Sequence, residues 1–125
     1  MIELEGAFLA ARNNGAQALL AVADPLVNPT RERVAALAIE NGLPTISDDS
    51  SAPAAGMLLA YAPRLPEAVR RLAVYIDKIF KGAKPADLPI QQPESFDFII
   101  NLKTAQSLGL SIPPSVLAQA TEVLQ

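Results

Sequence analysis

Short apolar runs, each closed by a turn or loop residue, alternate along this chain with helical patterns, and that alternation limits the folds open to it. Residues 18–23, Ala-Leu-Leu-Ala-Val-Ala, run without a polar break into Asp24-Pro25. A run of this length without alternation suits a strand buried on both faces, as in a parallel sheet. Further strands are expected at 43–47, 57–61 and 96–100, with Pro44 near a first strand position, where its missing donor is tolerated. Helices fill the gaps. Leu4, Phe8 and Ala11 share one face of a helix over 2–14, and Gly15 stands at its stop position. Thr30 offers an N-cap, and Glu32 a first-turn acid, to a helix with Val34, Leu37 and Ala38 on its stripe and Gly42 at its end. The strongest helix covers 66–81, with Pro66 at its first position and Gly82 past its end. Val69, Leu72, Ala73, Ile76, Ile79 and Phe80 form its apolar stripe, while Arg70, Arg71, Asp77, Lys78 and Lys81 lie largely off it. Pro85, Pro89 and Pro93 then mark an extended connector over 83–95. Asn101 is placed to cap a short helix through Leu108, and Pro113-Pro114-Ser115 to start a last one running toward Leu124. Strands alternating with helices predict an α/β layered sandwich with a mostly parallel sheet and right-handed crossovers.

Composition removes most chemistries. The 125 residues contain no Cys, His or Trp, so disulfide scaffolds, Cys/His metal sites and His-dependent triads are excluded. Net charge is −3 and aromatics are 5%, which leaves neither a basic footprint nor stacking platforms for nucleic acid. Half the chain is apolar and mean hydropathy is +0.25, yet no run approaches the ~20 residues of a spanning helix. Surplus apolar surface is therefore expected to meet something outside the chain. Met1-Ile2-Glu3-Leu4-Glu5 carries two acids and no base, unlike a secretory signal. No N-cap residue precedes Ile2, so the chain is expected to enter midway into structure.

The residues left for function gather at predicted strand ends. Open α/β sheets bind ligands at their carboxyl edge. Asp24 and Pro25 follow the first strand, Asp48, Asp49 and Ser50 the second, and Tyr61 ends the third. An acid there can pair with a ligand ammonium, and Tyr61 can pack on an apolar body. Against this stands a plainer reading, in which turn aspartates cap backbone amides and a lone Tyr belongs to the rim. Asp48 and Asp49 are adjacent and point apart, a poor general acid/base pair. Ser47, Ser50 and Ser51 have no His partner, and Lys81-Gly82-Ala83-Lys84 is a helix end rather than a phosphate loop. A small metal-assisted enzyme could use Asp24 and the Asp48-Asp49 pair, but no Lys or Thr follows a later strand in support. No catalytic residue, metal or cofactor is expected.

Longer stretches carry a family resemblance. Ala16 to Leu26, Arg31 to Ala38 and Gly56 to Pro63 contribute, and Tyr75-Ile76-Asp77-Lys78-Ile79-Phe80-Lys81-Gly82-Ala83-Lys84-Pro85-Ala86-Asp87-Leu88-Pro89 is more specific. Ile100-Asn101-Leu102-Lys103-Thr104-Ala105 and Leu108-Gly109-Leu110-Ser111-Ile112-Pro113-Pro114-Ser115 complete the set. Together they resemble the carboxyl-terminal part of ABC-transporter substrate-binding proteins of the tryptophan/tyrosine-binding-like family, two-lobed and similar to type I periplasmic binding proteins. The resemblance implies a non-enzymatic, extracytoplasmic protein that holds a small molecule, such as an aromatic amino acid, between its lobes and works with an ABC permease. It implies that 1–62 is part of the second lobe. Residues 63–125 then supply the helix and connector that return toward the first lobe, with a terminal strand-helix segment. Asp24, the 48–51 loop and Tyr61 would face the cleft or hinge. The signal peptide and first lobe of the family are absent from this sequence, which as written would stay in the cytoplasm. A truncated chain of this kind is also expected to self-associate, as a homodimer that can be swapped.

Overall fold

In the computed structural model, residues 3–25 and 28–125 are described. The chain divides into two compact units, Met1–Ala62 with Asp97–Gln125, and Pro63–Phe96. Five strands form one sheet in the order β1-β2-β3-β4-β5: Leu19–Ala21, Thr45–Ser47, Leu59–Pro63, Phe96–Asn101 and Glu122–Leu124. Ala21 pairs with Ser47, Ser47 with Ala60, and Ile100 with Val123, all in parallel ladders. Strands β3 and β4 run antiparallel. Asn101 N–H donates to the Leu58 carbonyl at 2.8 Å and Arg64 N–H to the Ser95 carbonyl at 3.0 Å, so one strand counts up as the other counts down. The sheet is therefore mostly parallel, as predicted, with one reversal where the chain leaves the first unit and returns to it.

In the first unit, α1 (Leu4–Asn13) and α2 (Arg31–Glu40) cover one sheet face. Phe8 of α1 and Val34, Ala35, Leu37 and Ala38 of α2 pack with Ala21, Leu43, Ala52 and Met57. Small residues at this contact let α2 approach closely, and Ala38 and Ala60 are fully buried. Gly56 closes a 3-10 turn over Pro53–Ala55 with φ +103°, and a Cβ there would lie 3.3 Å from the Ala35 Cβ. Only glycine meets both demands without strain. Thr45, buried among apolar neighbours, satisfies its hydroxyl by accepting from Leu58 N–H at 2.7 Å. Short α4 (Leu102–Ser107) is capped as predicted: Asn101 Oδ1 accepts from Thr104 N–H at 3.1 Å.

Three expectations are corrected. The first strand is not buried on both faces: Ala21 is buried, but Leu20 is 64% and Val22 55% exposed. Helices α1 and α2 lie on the Ala21 side, and among the described residues nothing covers the other side to that extent. The last helix, α5, spans only Pro114–Leu117, and the chain then turns into β5. Thr121 and Val123 favour extended backbone, and pairing with β4 satisfies amide groups that an isolated terminal turn would leave to water. Thr30 occupies the N-cap position of α2 without a side-chain capping bond.

The second unit consists of α3 (Leu65–Phe80) and the connector that folds back along it. The connector is held by Arg71 to Glu94 at 2.6 Å, by the Tyr75 hydroxyl donating to the Pro89 carbonyl, and by Ser95 to Glu67. Helix and connector enclose a groove of about 490 Å³, lined by Val69, Leu72 and Ile79 on one side and Leu88 and Ile90 on the other. No residue of α3 is buried.

Candidate functional site

The parallel ladder brings the turn after β1 beside the turn after β2. Ser47 is the last residue of its strand and pairs with Ala21 and Ala60. Asp48, one step further, therefore stands level with Val22 and Tyr61. Its carboxylate accepts from Ala23 N–H at 2.6 Å and ties the two turns together. Asp24 and Pro25 follow at once and are exposed.

Asp49 points elsewhere, as expected for a neighbour of Asp48. Its Oδ1 accepts from the Ser51 N–H at 2.9 Å and the Ser51 hydroxyl at 2.7 Å, and its Oδ2 from Arg31 at 3.0 Å. Arg31 also donates to the Ser51 hydroxyl. Burial pushes the Asp49 carboxyl up, but the two Ser51 donors and then the Arg31 charge outweigh it, so it is held below its ordinary range. Asp49 therefore shapes the turn that carries Asp48, and Ser50, half-buried, sits within that turn.

Tyr61 does not end the third strand as expected but stands at the centre of β3, which runs on to Pro63; it is 54% exposed, between the buried Ala60 and Ala62. The antiparallel register sets it directly across from Phe98 of β4. The two rings meet edge to face, with centroids 6.4 Å apart and planes at 67°. The residues just past β1 and β2, Val22 and Asp48, thus fall in one lateral row with Tyr61 of β3 and Phe98 of β4, and Asp24 follows two residues after Val22. Carboxylates next to a half-exposed aromatic pair can hold a small molecule that carries an ammonium group and an apolar body. Among the described residues no group of three His, Cys, Asp or Glu side chains could hold a metal ion. The groove in the second unit is lined by none of the six residues predicted from sequence.

The sequence reading missed two residues. Arg31 is 18 positions from Asp49, and nothing in the local pattern links them. Phe98 was legible only as a strand residue, because its facing Tyr61 depends on the β3–β4 reversal.

A family model described as "ABC transporter substrate binding protein" matches residues 2–124. The chain belongs to that family. Among solved structures, a conserved domain protein from Vibrio cholerae is similar at TM-score 0.85 and 25% identity, over 97% of this chain and 40% of that one. The ABC domain of a Streptococcus pneumoniae protein in complex with L-Trp matches at TM-score 0.84 and 24% identity, over 98% and 41%. The ligand-free, open structure of CD0873 from Clostridium difficile, a substrate-binding protein with adhesive properties, matches at TM-score 0.72 and 20% identity, over 98% and 40%. The last two support the fold alone. This member of the substrate-binding family spans about two-fifths of the length of these solved relatives. A comparison with curated proteins found no match.

Proposed function

We propose that this chain supplies part of the solute-binding surface of an ABC importer's substrate-binding protein, and that the solute is a small amino acid-like molecule, aromatic ones foremost. The observation that carries this reading is the lateral row of Asp48, Tyr61 and Phe98, with Asp48 just past the carboxyl end of β2, where α/β folds bind ligands. Asp24 and Asp48 face the ligand ammonium. Tyr61, braced by Phe98, packs on the apolar body, and Pro25 and Ser50 border the site. Asp49 acts through Arg31 and Ser51 to hold the turn in place. Binding needs no catalysis, and a permease completes transport. In this reading the first unit belongs to one lobe of the longer fold and the α3 unit to the other, and the protein works outside the cytoplasm. The choice of aromatic amino acids as first ligands follows the L-Trp that a protein of similar fold holds, and it is the part of the reading the titration tests.

Isothermal calorimetry with L-Trp, L-Tyr and L-Phe tests this. The chain carries only part of the cleft, so millimolar rather than nanomolar affinity is expected, about −4 kcal/mol. Tyr61→Ala should abolish the heat while leaving the fold intact. No heat with any of the three, from a folded sample, rejects binding by this chain.

A further inference from the structure

Two Asn-Gly steps stand in this chain, Asn14-Gly15 and Asn41-Gly42, and each ends a helix of the first unit. The two caps are built alike. Asn14 closes α1 at φ −87° and ψ 8°, and Asn41 closes α2 at φ −94° and ψ 3°. Gly15 and Gly42 follow in the left-handed region, at φ +77° and +67°. Asn14 donates from Nδ2 to the Ala10 carbonyl at 2.9 Å, and Asn41 from Nδ2 to the Leu37 carbonyl at 2.8 Å. Gly15 N–H donates to the Arg12 carbonyl and Gly42 N–H to the Ile39 carbonyl, both at 3.0 Å. The surroundings differ. Leu43 follows Gly42, is 3% exposed and lies in the same core cluster as Ala38. Ala16 follows Gly15, and every residue from Arg12 to Ala18 is exposed except none that touches the core. The Leu43 contact is the hydrophobic closure common at helix ends of this type, and α1 lacks it.

We propose that Asn14 is a site of spontaneous deamidation in the folded chain, while Asn41, the same step in sequence, is protected. A glycine after Asn has no Cβ to hinder approach of its nitrogen. That nitrogen, having lost its proton to base, attacks Cγ of Asn14. The bond from Cγ to Nδ2 breaks, ammonia leaves, and a cyclic succinimide remains. Water then opens either imide bond, giving aspartate or isoaspartate. At both caps the attacking N–H and the leaving amide are tied into hydrogen bonds, so the reaction waits for the helix end to open. Opening is easier where little buried contact is lost. At Asn14 it uncovers no core residue, whereas at Asn41 it pulls Leu43 out of the core. The product acts on the fold. A carboxylate at the C-terminal end of α1 opposes the helix dipole. An isoaspartate adds a methylene to the main chain and disturbs the bonds from Gly15 and Ala16 back to Arg12 and Ala11. Among the described residues of α1 only Phe8 is buried, so a deamidated chain holds this helix less firmly. The proposal does not depend on the ligand reading.

Incubation of the full chain in mildly alkaline buffer, folded and in concentrated guanidinium chloride, tests it. Trypsin separates the two sites, because Asn14 falls in the peptide 13–31 and Asn41 in the peptide 34–64, and mass mapping reads each. Asn28 in the first peptide precedes Pro29, whose nitrogen carries no proton, and does not react by this route. In denaturant the two sites should convert within about twofold of each other, and in the folded chain Asn14 should convert at least about fivefold faster than Asn41. Asn14→Gln should remove most conversion from the first peptide. Leu43→Ala should raise the Asn41 rate several-fold, with circular dichroism establishing that the variant is folded. If it is not, Leu43→Val takes its place, with a smaller rise expected. Equal rates in the folded chain, a faster Asn41, or an Asn14 that stays intact when folded while both sites convert in denaturant overturns the proposal. An unchanged Asn41 rate in the folded Leu43 variant overturns the assignment of its protection to that contact.

Discussion

At the residue scale, Asp49 shows how one side chain fixes a loop that others use. It gathers two donors from Ser51 and one from Arg31, and its turn delivers Asp48 to the Ala23 amide. Asp49→Asn keeps the size but removes the charge that Arg31 faces. We expect a loss of about 1 kcal/mol in urea unfolding, the scale of a part-exposed ion pair with hydrogen bonds. The pH dependence has a definite sign. The folded carboxyl titrates below its ordinary value of 3.8, so its stabilisation is full above that value and is lost as pH falls through the lower folded value. Stability of the wild type should therefore drop more steeply than that of Asp49→Asn on acidification below about pH 4, as read by melting temperature against pH. The aspartates at the strand end were legible in the sequence because turn chemistry is local. Their division of labour was not, because Arg31 reaches Asp49 only through the packing of α2.

At the element scale, the join between α4 and the 3-10 turn before β3 holds two distant segments together. Asn101 caps α4 and donates from Nδ2 to the Pro53 carbonyl at 2.7 Å, and Thr104 donates to the Gly56 carbonyl at 2.9 Å. Asn101→Ala removes the cap and leaves the Pro53 carbonyl without that donor, so a loss of about 2 kcal/mol is expected by chemical denaturation. Gly56→Ala forces a Cβ into a left-handed backbone beside Ala35, and should cost about 1–2 kcal/mol in the same assay. The helix stripes and stop glycines were readable because a 3.6-residue period and a positive φ are properties of single segments. Leu20 and β5 were not. An apolar run reads alike whether one face or two are covered, and Glu122 to Leu124 become a strand only because β4 offers an edge.

At the scale of the whole molecule, the two units differ in what holds them. The first has a buried core from Phe8 to Met57, whereas α3 buries none of its residues. Local stability follows buried contact. At low micromolar concentration, amide hydrogens of α3 should exchange several-fold faster than those of β2 and β3, as read by mass spectrometry. The layered class followed from the alternation of runs and helices. The reversal between β3 and β4 did not, since a parallel crossover and a return strand share the same sequence pattern. The central claim is that the edge formed by the β1 and β2 turns with Tyr61 and Phe98 binds amino acids. Titration of the isotope-labelled chain with L-Trp, followed by amide nitrogen–proton spectra, tests it most directly. The account predicts saturable shifts confined to Ala23, Asp24, Asp48 to Ser51, Tyr61 and Phe98. Shifts confined to residues 65–95, or none at millimolar L-Trp, L-Tyr and L-Phe, would contradict it.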